Sequence, residues 1–398
     1  MKKNLMQTLG LATVFLFSCG SVNAQDILVN SLKLNASDNS KNSFKFTEQI
    51  NLGTTSVKSQ GSSGTCWSYA TNSYLESEMI RMGKQPVELS QIFSARNVYV
   101  EKGINYVRMH GAVSLGDGGE THDVINMFRK YGAVPREVYT GLNYGTDKNK
   151  FAEMAAMIEG VLSAVVKNPN GTLTPNWQKA YTAVIDSYLG EVPEKFNYKG
   201  KEYTPQSFAK EVVGINPDDY IEMSSFTNAP YYQKTMLMVP DNWSFDQVYN
   251  IKMNEMTDVI DNALKKGYTV AWATDVSEKS FSWKNGFAYV PTKKFDDMSE
   301  EEKKDMFNGP KQELDITPEM RQQAFDNYQT TDDHAMHIIG LAKDQSGKEY
   351  YIVKNSWGAT NDYQGFLFVT KNFVKYKTTA LMVNKGGIPS DLAKKLGV

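Results

Sequence analysis

Apolar residues recur at helical spacing across residues 66–82. Trp67, Ala70, Tyr74, Leu75, Met79 and Met82 share one stripe there, and Gly83 offers a stop. The same reading predicts a helix over residues 120–131, ended by Gly132, and another over 257–266, closed by Gly267. After Gly267 the texture changes. Residues 268–273, 337–341, 349–353 and 365–369 are short β-branched or aromatic runs bounded by turn residues, which predicts strands of an antiparallel sheet or barrel. A helical first half followed by a stranded second half predicts an α+β fold of two lobes with a cleft between them. Residues 25–48 are polar and read as an N-terminal arm. Residues 145–225, rich in Lys, Glu, Asn and Tyr, read as a largely helical elaboration without a catalytic pattern.

The first 24 residues have the layout of an export leader. Lys2 and Lys3 precede an apolar stretch too short to span a bilayer, and Val22-Asn23-Ala24 supplies a cleavage site ahead of Gln25. The expected location is therefore periplasmic or extracellular. Lipidation at Cys19 is the less favoured alternative, because Phe17 is bulky for that signal. No later stretch is long and apolar enough for a membrane span. Removing residues 1–24 takes two lysines and no acids, so the formal charge of −2 becomes −4. A weakly acidic chain has no general attraction for nucleic acid, and 41% hydrophobic residues suffice for a large core.

After export, Cys66 is the one remaining cysteine, in the run Gln60-Gly61-Ser62-Ser63-Gly64-Thr65-Cys66-Trp67. A thiol with no disulfide partner in its own chain is a liability in an oxidising compartment unless it is buried or used. Its place on the first turn of a helix favours the thiolate through unpaired N–H groups and the helix dipole. The glycines before it let a substrate carbonyl approach the Cys66 N–H, and Gln60 offers a side-chain amide nearby. A thiol nucleophile also needs a base. Of four histidines, His334 begins a predicted strand after Asp333, and Asn355 follows 21 residues later in Asn355-Ser356-Trp357-Gly358. An Asn amide oxygen would fix the histidine's tautomer, and Trp357 would shield that bond or simply pack.

These blocks resemble those of papain-like cysteine peptidases, in that family's order. The likeness is closest to the bleomycin hydrolase and aminopeptidase C branch, through Ser62-Ser63-Gly64, His334-Ala335-Met336, Glu88-Leu89-Ser90-Gln91, Gly116-Asp117-Gly118-Gly119 and Tyr131-Gly132-Ala133-Val134-Pro135. It covers residues 50–140 and 230–390. The resemblance implies a papain-like two-lobe fold, a helical lobe beside an antiparallel β-barrel-like lobe with a large helical insertion. It makes Cys66 the nucleophile, His334 the base and acid, Asn355 its orienter and Gln60 an oxyanion donor. It places Gly118, Gly119 and Trp357 on the substrate side. Cys66 and His334 lie 268 residues apart, against roughly 130–150 in ordinary papain-like enzymes, in keeping with the insertion. Members of the branch hold their C-terminal tail in the cleft, which makes them aminopeptidases, and they assemble as homo-hexamers. Here the tail, residues 387–398, continues past Leu392-Ala393, where the family terminus aligns.

The expected partners are peptides, with no metal and no cofactor. An endopeptidase on the same residues and a non-catalytic peptide-binding module are the alternatives. Asp332, Asp333, His334 and His337 could suggest a metal site, but residues three apart on a strand face opposite sides. His110 and His122 read as surface or packing residues.

Overall fold

The computed structural model describes residues 44–168 and 171–398; the leader, Cys19 and most of the polar arm lie outside the described residues. The helical side is built on α1 (Cys66–Arg81), flanked by α2 (Gln91–Arg108) and α3 (Thr121–Tyr131). The stripe read from the sequence understates α1, which is buried from Cys66 through Met79 on every face. Most of its polar residues tolerate this because they find a partner. Ser68 Oγ donates to Gln91 O at 2.7 Å, Thr71 Oγ1 to Trp67 O at 2.8 Å and Asn72 Nδ2 to Ser68 O at 2.8 Å, while Glu76 accepts the Leu89 N–H at 2.7 Å.

Two further helices, α4 (Ala152–Val166) and α5 (Asn176–Leu189), pack as a pair against α2. The Tyr181 hydroxyl donates to Tyr99 O at 2.7 Å and Arg96 pairs with Asp186 at 2.7 Å.

The other side is one sheet of eleven strands. In chain order these are β1 (Thr47–Asn51), β2 (Tyr220–Ser224), β3 (Lys234–Met236), β4 (Gln247–Asn250), β5 (Val270–Thr274), β6 (Phe281–Ser282), β7 (Phe287–Ala288), β8 (His334–Lys343), β9 (Glu349–Lys354), β10 (Phe366–Thr370) and β11 (Thr378–Asn384). The hydrogen-bonded path runs β3-β4-β2-β11-β5-β8-β9-β10-β7-β6, with β1 added on β8. Pairing is antiparallel except for β2 with β4 and β7 with β10. The path is open, with β3 and β6 at its ends, so of the expected sheet or barrel the structure has an open, mostly antiparallel sheet.

Two boundaries differ from the sequence reading. Tyr220–Ser224 pairs with β11, so the elaboration ends before residue 220 rather than at 225. Thr47–Asn51 pairs with β8, so the end of the arm belongs to the sheet. Across the far face of the sheet lie α6 (Met253–Lys265), α7 (Pro318–Asp326), α8 (Lys371–Lys377) and α9 (Ser390–Leu396).

Aromatic and aliphatic residues fill both sides of the sheet. Tyr74, Phe93 and Tyr99 belong to the core under the helices, and Val259, Trp272 and Ile338 to the core under α6. β8 runs between β5 and β9 with α1 packed across it. That arrangement brings the start of α1 to the start of β8.

Candidate active site

Cys66 is the first residue of the sixteen-residue helix α1, after the N-cap position Thr65, and is 6% exposed. The chain reaches it through a braced approach. Gln60 N–H donates to Ser356 O at 2.8 Å, Ser63 Oγ to Gln60 O at 2.7 Å, and Asn149 Nδ2 to Gln60 O at 3.1 Å. Gly64 N–H donates to the Asp117 carboxylate, which ties this approach to the loop carrying Gly118 and Gly119.

His334 opens β8 and faces Cys66 across one cavity, which both residues line. Its Nε2–H donates to Asn355 Oδ1 at 2.8 Å, an oxygen that also accepts the Ser356 N–H at 2.7 Å. This bond fixes the tautomer and leaves Nδ1 as the acceptor nitrogen, buried and with no hydrogen-bond partner among the described residues. Burial pushes the imidazole down to about 4, against the opposing pull of the bond to Asn355, so the ring is neutral at pH 7.

The Gln60 amide is buried behind this approach and does not line the cavity. Its Nε2 donates to Ser63 O at 2.7 Å and its Oε1 accepts from Ser356 Oγ at 2.7 Å, so one of its two N–H groups is already committed. Gly118 and Gly119 line the same cavity. A Cβ on Gly118 would stand 1.9 Å from Asp241 Oδ2, and one on Gly119 would stand 3.0 Å from Trp67 Cε2, so the close approach of this loop requires glycine. Lys102 Nζ holds the loop from behind, donating to Gly116 O at 2.7 Å and Gly118 O at 2.8 Å. Trp67, read from the sequence as packing, also donates its Nε1–H to Asp117 O at 3.2 Å.

Trp357 differs from its expected place on the substrate side. Its ring lies 4.5 Å from the His334 ring, tilted by 36°, is 3% exposed and does not line the cavity. It sits behind the His334–Asn355 bond and keeps water from it. His337, on the opposite face of β8, accepts or donates at Nδ1 to Ser73 Oγ at 3.0 Å. His122 is not an ordinary packing residue. It pairs with Glu222, and although burial works against its charge, Glu222, Asp123 and Asp246 push it up to about 9.

Sequence reading did not place three carboxylates on this cavity. Glu120 caps the start of α3, Asp332 precedes His334 by two positions, and Asp241 comes from the segment 237–246. Asp241 brings that segment to the cavity, which no described residue of 145–225 lines. Trp243 Nε1 donates to Asp123 Oδ2 at 3.0 Å and Asn105 Nδ2 to Trp243 O at 2.7 Å. The tail lies elsewhere. Leu392 and Leu396 of α9 are buried with Ile260 and Leu264 of α6, and Lys395 pairs with Glu255 at 2.9 Å.

Comparison with known sequences places the chain. A family model described as the Peptidase C1-like family matches residues 19–397. The chain belongs to the Peptidase C1-like family. Aminopeptidase C of Lactobacillus delbrueckii subsp. lactis is 24% identical over 91% of this chain and 86% of its own length. The mitochondrial cysteine proteinase 1 of Saccharomyces cerevisiae is 21% identical over 94% of this chain and 83% of its own. Among solved structures, PepW from Lactobacillus rhamnosis HN001 superposes with a TM-score of 0.67 at 20% identity, covering 92% of this chain and 86% of that one. The papain-like fold and the cysteine-peptidase class expected from the motif blocks are thereby met. No helix among the described residues is long and apolar enough to cross a membrane.

Proposed function

We propose that this chain is an exported cysteine aminopeptidase that removes residues from the N-termini of peptides through Cys66, His334 and Asn355. The observation that carries the reading is the single cavity shared by a cysteine at a helix N-terminus and an imidazole whose far nitrogen is held by Asn355 at 2.8 Å. His334 Nδ1 takes the Cys66 proton, and the sulfur attacks the scissile carbonyl. The oxyanion meets the Cys66 N–H and the second amide hydrogen of Gln60; such donors are each worth about 10²–10³ in rate. His334 then protonates the leaving amine. Water hydrolyses the thioester with His334 as base. Relatives named aminopeptidase C support the exopeptidase choice.

The experiment is turnover of fluorogenic peptides by the reduced protein and by Cys66→Ala. The variant should lose activity to background while keeping its fold, and undiminished turnover would refute the assignment. A second reading, endopeptidase action, is favoured by the tail, which packs on α6 and leaves the cleft clear of the C-terminus. Substrates with free and with acetylated α-amines separate the two.

A further inference from the structure

A second polar cluster is buried where α1 crosses the sheet, and acyl transfer makes no direct use of it. Ser73 lies on α1 seven residues after Cys66, which is about two helical turns. His337 lies on β8 three residues after His334, and Lys354 ends β9 immediately before Asn355. His337 and Lys354 stand opposite one another in the β8–β9 register. Both line, with Ser73, one small cavity of about 20 Å³, and all three residues are buried.

The three form one chain of hydrogen bonds with a defined direction. Lys354 Nζ, which can only donate, reaches Ser73 Oγ at 2.8 Å. The Ser73 hydroxyl then donates to His337 Nδ1 at 3.0 Å, which puts the ring hydrogen on Nε2. Lys354 Nζ also donates to Thr55 O at 2.8 Å and to Thr55 Oγ1 at 3.2 Å, on the segment that leads to Cys66. Burial pushes this ammonium down to about 8, against the pull of Glu76 on α1, so it is charged at pH 7. Burial, and then the Lys354 charge, hold His337 well below its ordinary value, so that ring stays neutral. A buried ammonium bonded only to neutral oxygens is costly, and packing alone does not call for one. Its placement is more telling. α1 carries Cys66 and Ser73, β8 carries His334 and His337, and the end of β9 carries Lys354 beside Asn355.

We propose that Lys354, Ser73 and His337 are positioning residues for catalysis, a buried clamp that sets how close Cys66 and His334 stand by pinning α1 to β8 and β9. This rests on the peptidase reading above. None of the three lines the cavity shared by Cys66 and His334, so each acts through the element that carries it. The thiolate forms only when the imidazole is near enough to take its proton, and a displacement of about 1 Å costs about 10²-fold in rate. Peptide bound along Gly118 and Gly119 does not touch the clamp, so its loss falls on kcat.

The test uses Ser73→Ala and His337→Leu, which break the chain, and His337→Asn, whose Oδ1 replaces Nδ1 as acceptor. Each is checked for a cooperative unfolding transition, and if one breaking variant does not fold the other decides. In the breaking variants kcat for a free-amine fluorogenic peptide should fall about tenfold or more, with KM within about twofold of wild type. The second-order rate of Cys66 alkylation by iodoacetamide should fall with it, and His337→Asn should recover most of both. Unchanged kcat and alkylation, with only the unfolding midpoint lowered, would reduce the three residues to packing and overturn the clamp. His337→Asn no better than His337→Leu would overturn it as well, since the hydrogen bond would then carry no effect. Failure of the peptidase reading is distinguishable, because wild type would hydrolyse no peptide while the alkylation rates still decided the clamp.

Discussion

Glu78 and Glu120 are both glutamates buried where a helix meets the sheet, at 0% and 1% exposure, yet their surroundings are opposite. Glu78 takes two bonds from Arg81, at 2.8 and 2.9 Å, one from the Tyr220 hydroxyl at 3.0 Å and one from Asn384 Nδ2 at 3.1 Å. It ties α1 to β2 and β11. Glu120 faces Asp332 and Asp241, and burial together with these acids holds its carboxyl well above the usual range. A charge that serves the fold is compensated within the fold, whereas a buried acid among other acids is held protonated instead. The charge of the neighbours, rather than burial, separates the two.

The largest effect that would break this contrast is at the satisfied site. Glu78→Ala should destabilise the protein by about 3 kcal/mol, because it strands Arg81, Tyr220 and Asn384 together. Urea unfolding measures this, and a loss below about 1 kcal/mol would mean that Glu78 is no keystone. The acidic site should respond in the opposite direction. Burial above all, with Asp241 and Glu222 adding to it, raises Asp332 from the ordinary 3.8 to about 6. Its contribution to stability is therefore intact below about pH 4 and lost as pH rises through 6. A shift of that size corresponds to at most about 3 kcal/mol. Asp332→Asn should thus stabilise the protein at pH 8 by about 1–3 kcal/mol, with the gain shrinking at pH 5. An equal gain at both pH values, or a loss at pH 8, would show that Asp332 is not held against its own charge.

The contrast also explains what was legible in the sequence. Gln60, Cys66, His334 and Asn355 stand in short runs whose neighbours, Gly64, Asp333 and Trp357, have local reasons to be there, so chemistry and motif could be read together. Glu120, Asp241 and Asp332 come from three segments that meet only when α3, the 237–246 segment and the start of β8 converge. Glu120 and Asp241 carry no local signal, and Asp332, weighed only with Asp333, His334 and His337 as a metal cluster, carries none for this cavity. His122 looked ordinary because Glu222 is 100 residues away. The central strands were visible as β-branched runs. Strand β11 was not, since Thr378–Asn384 is buried at every position and shows no alternation, and β1 is polar and largely exposed. The helix pair 152–189 was foreseen as an elaboration, but its docking on α2, away from the cleft, depends on Arg96–Asp186 and Tyr181–Tyr99 contacts that no local pattern encodes.

The most direct measurement is alkylation of Cys66 by a peptidyl epoxide, followed by intact mass and peptide mapping against residual turnover. One adduct per chain on Cys66, formed in parallel with loss of activity and much more slowly in His334→Ala, is the expected result. Turnover that survives complete modification of Cys66 would contradict the account.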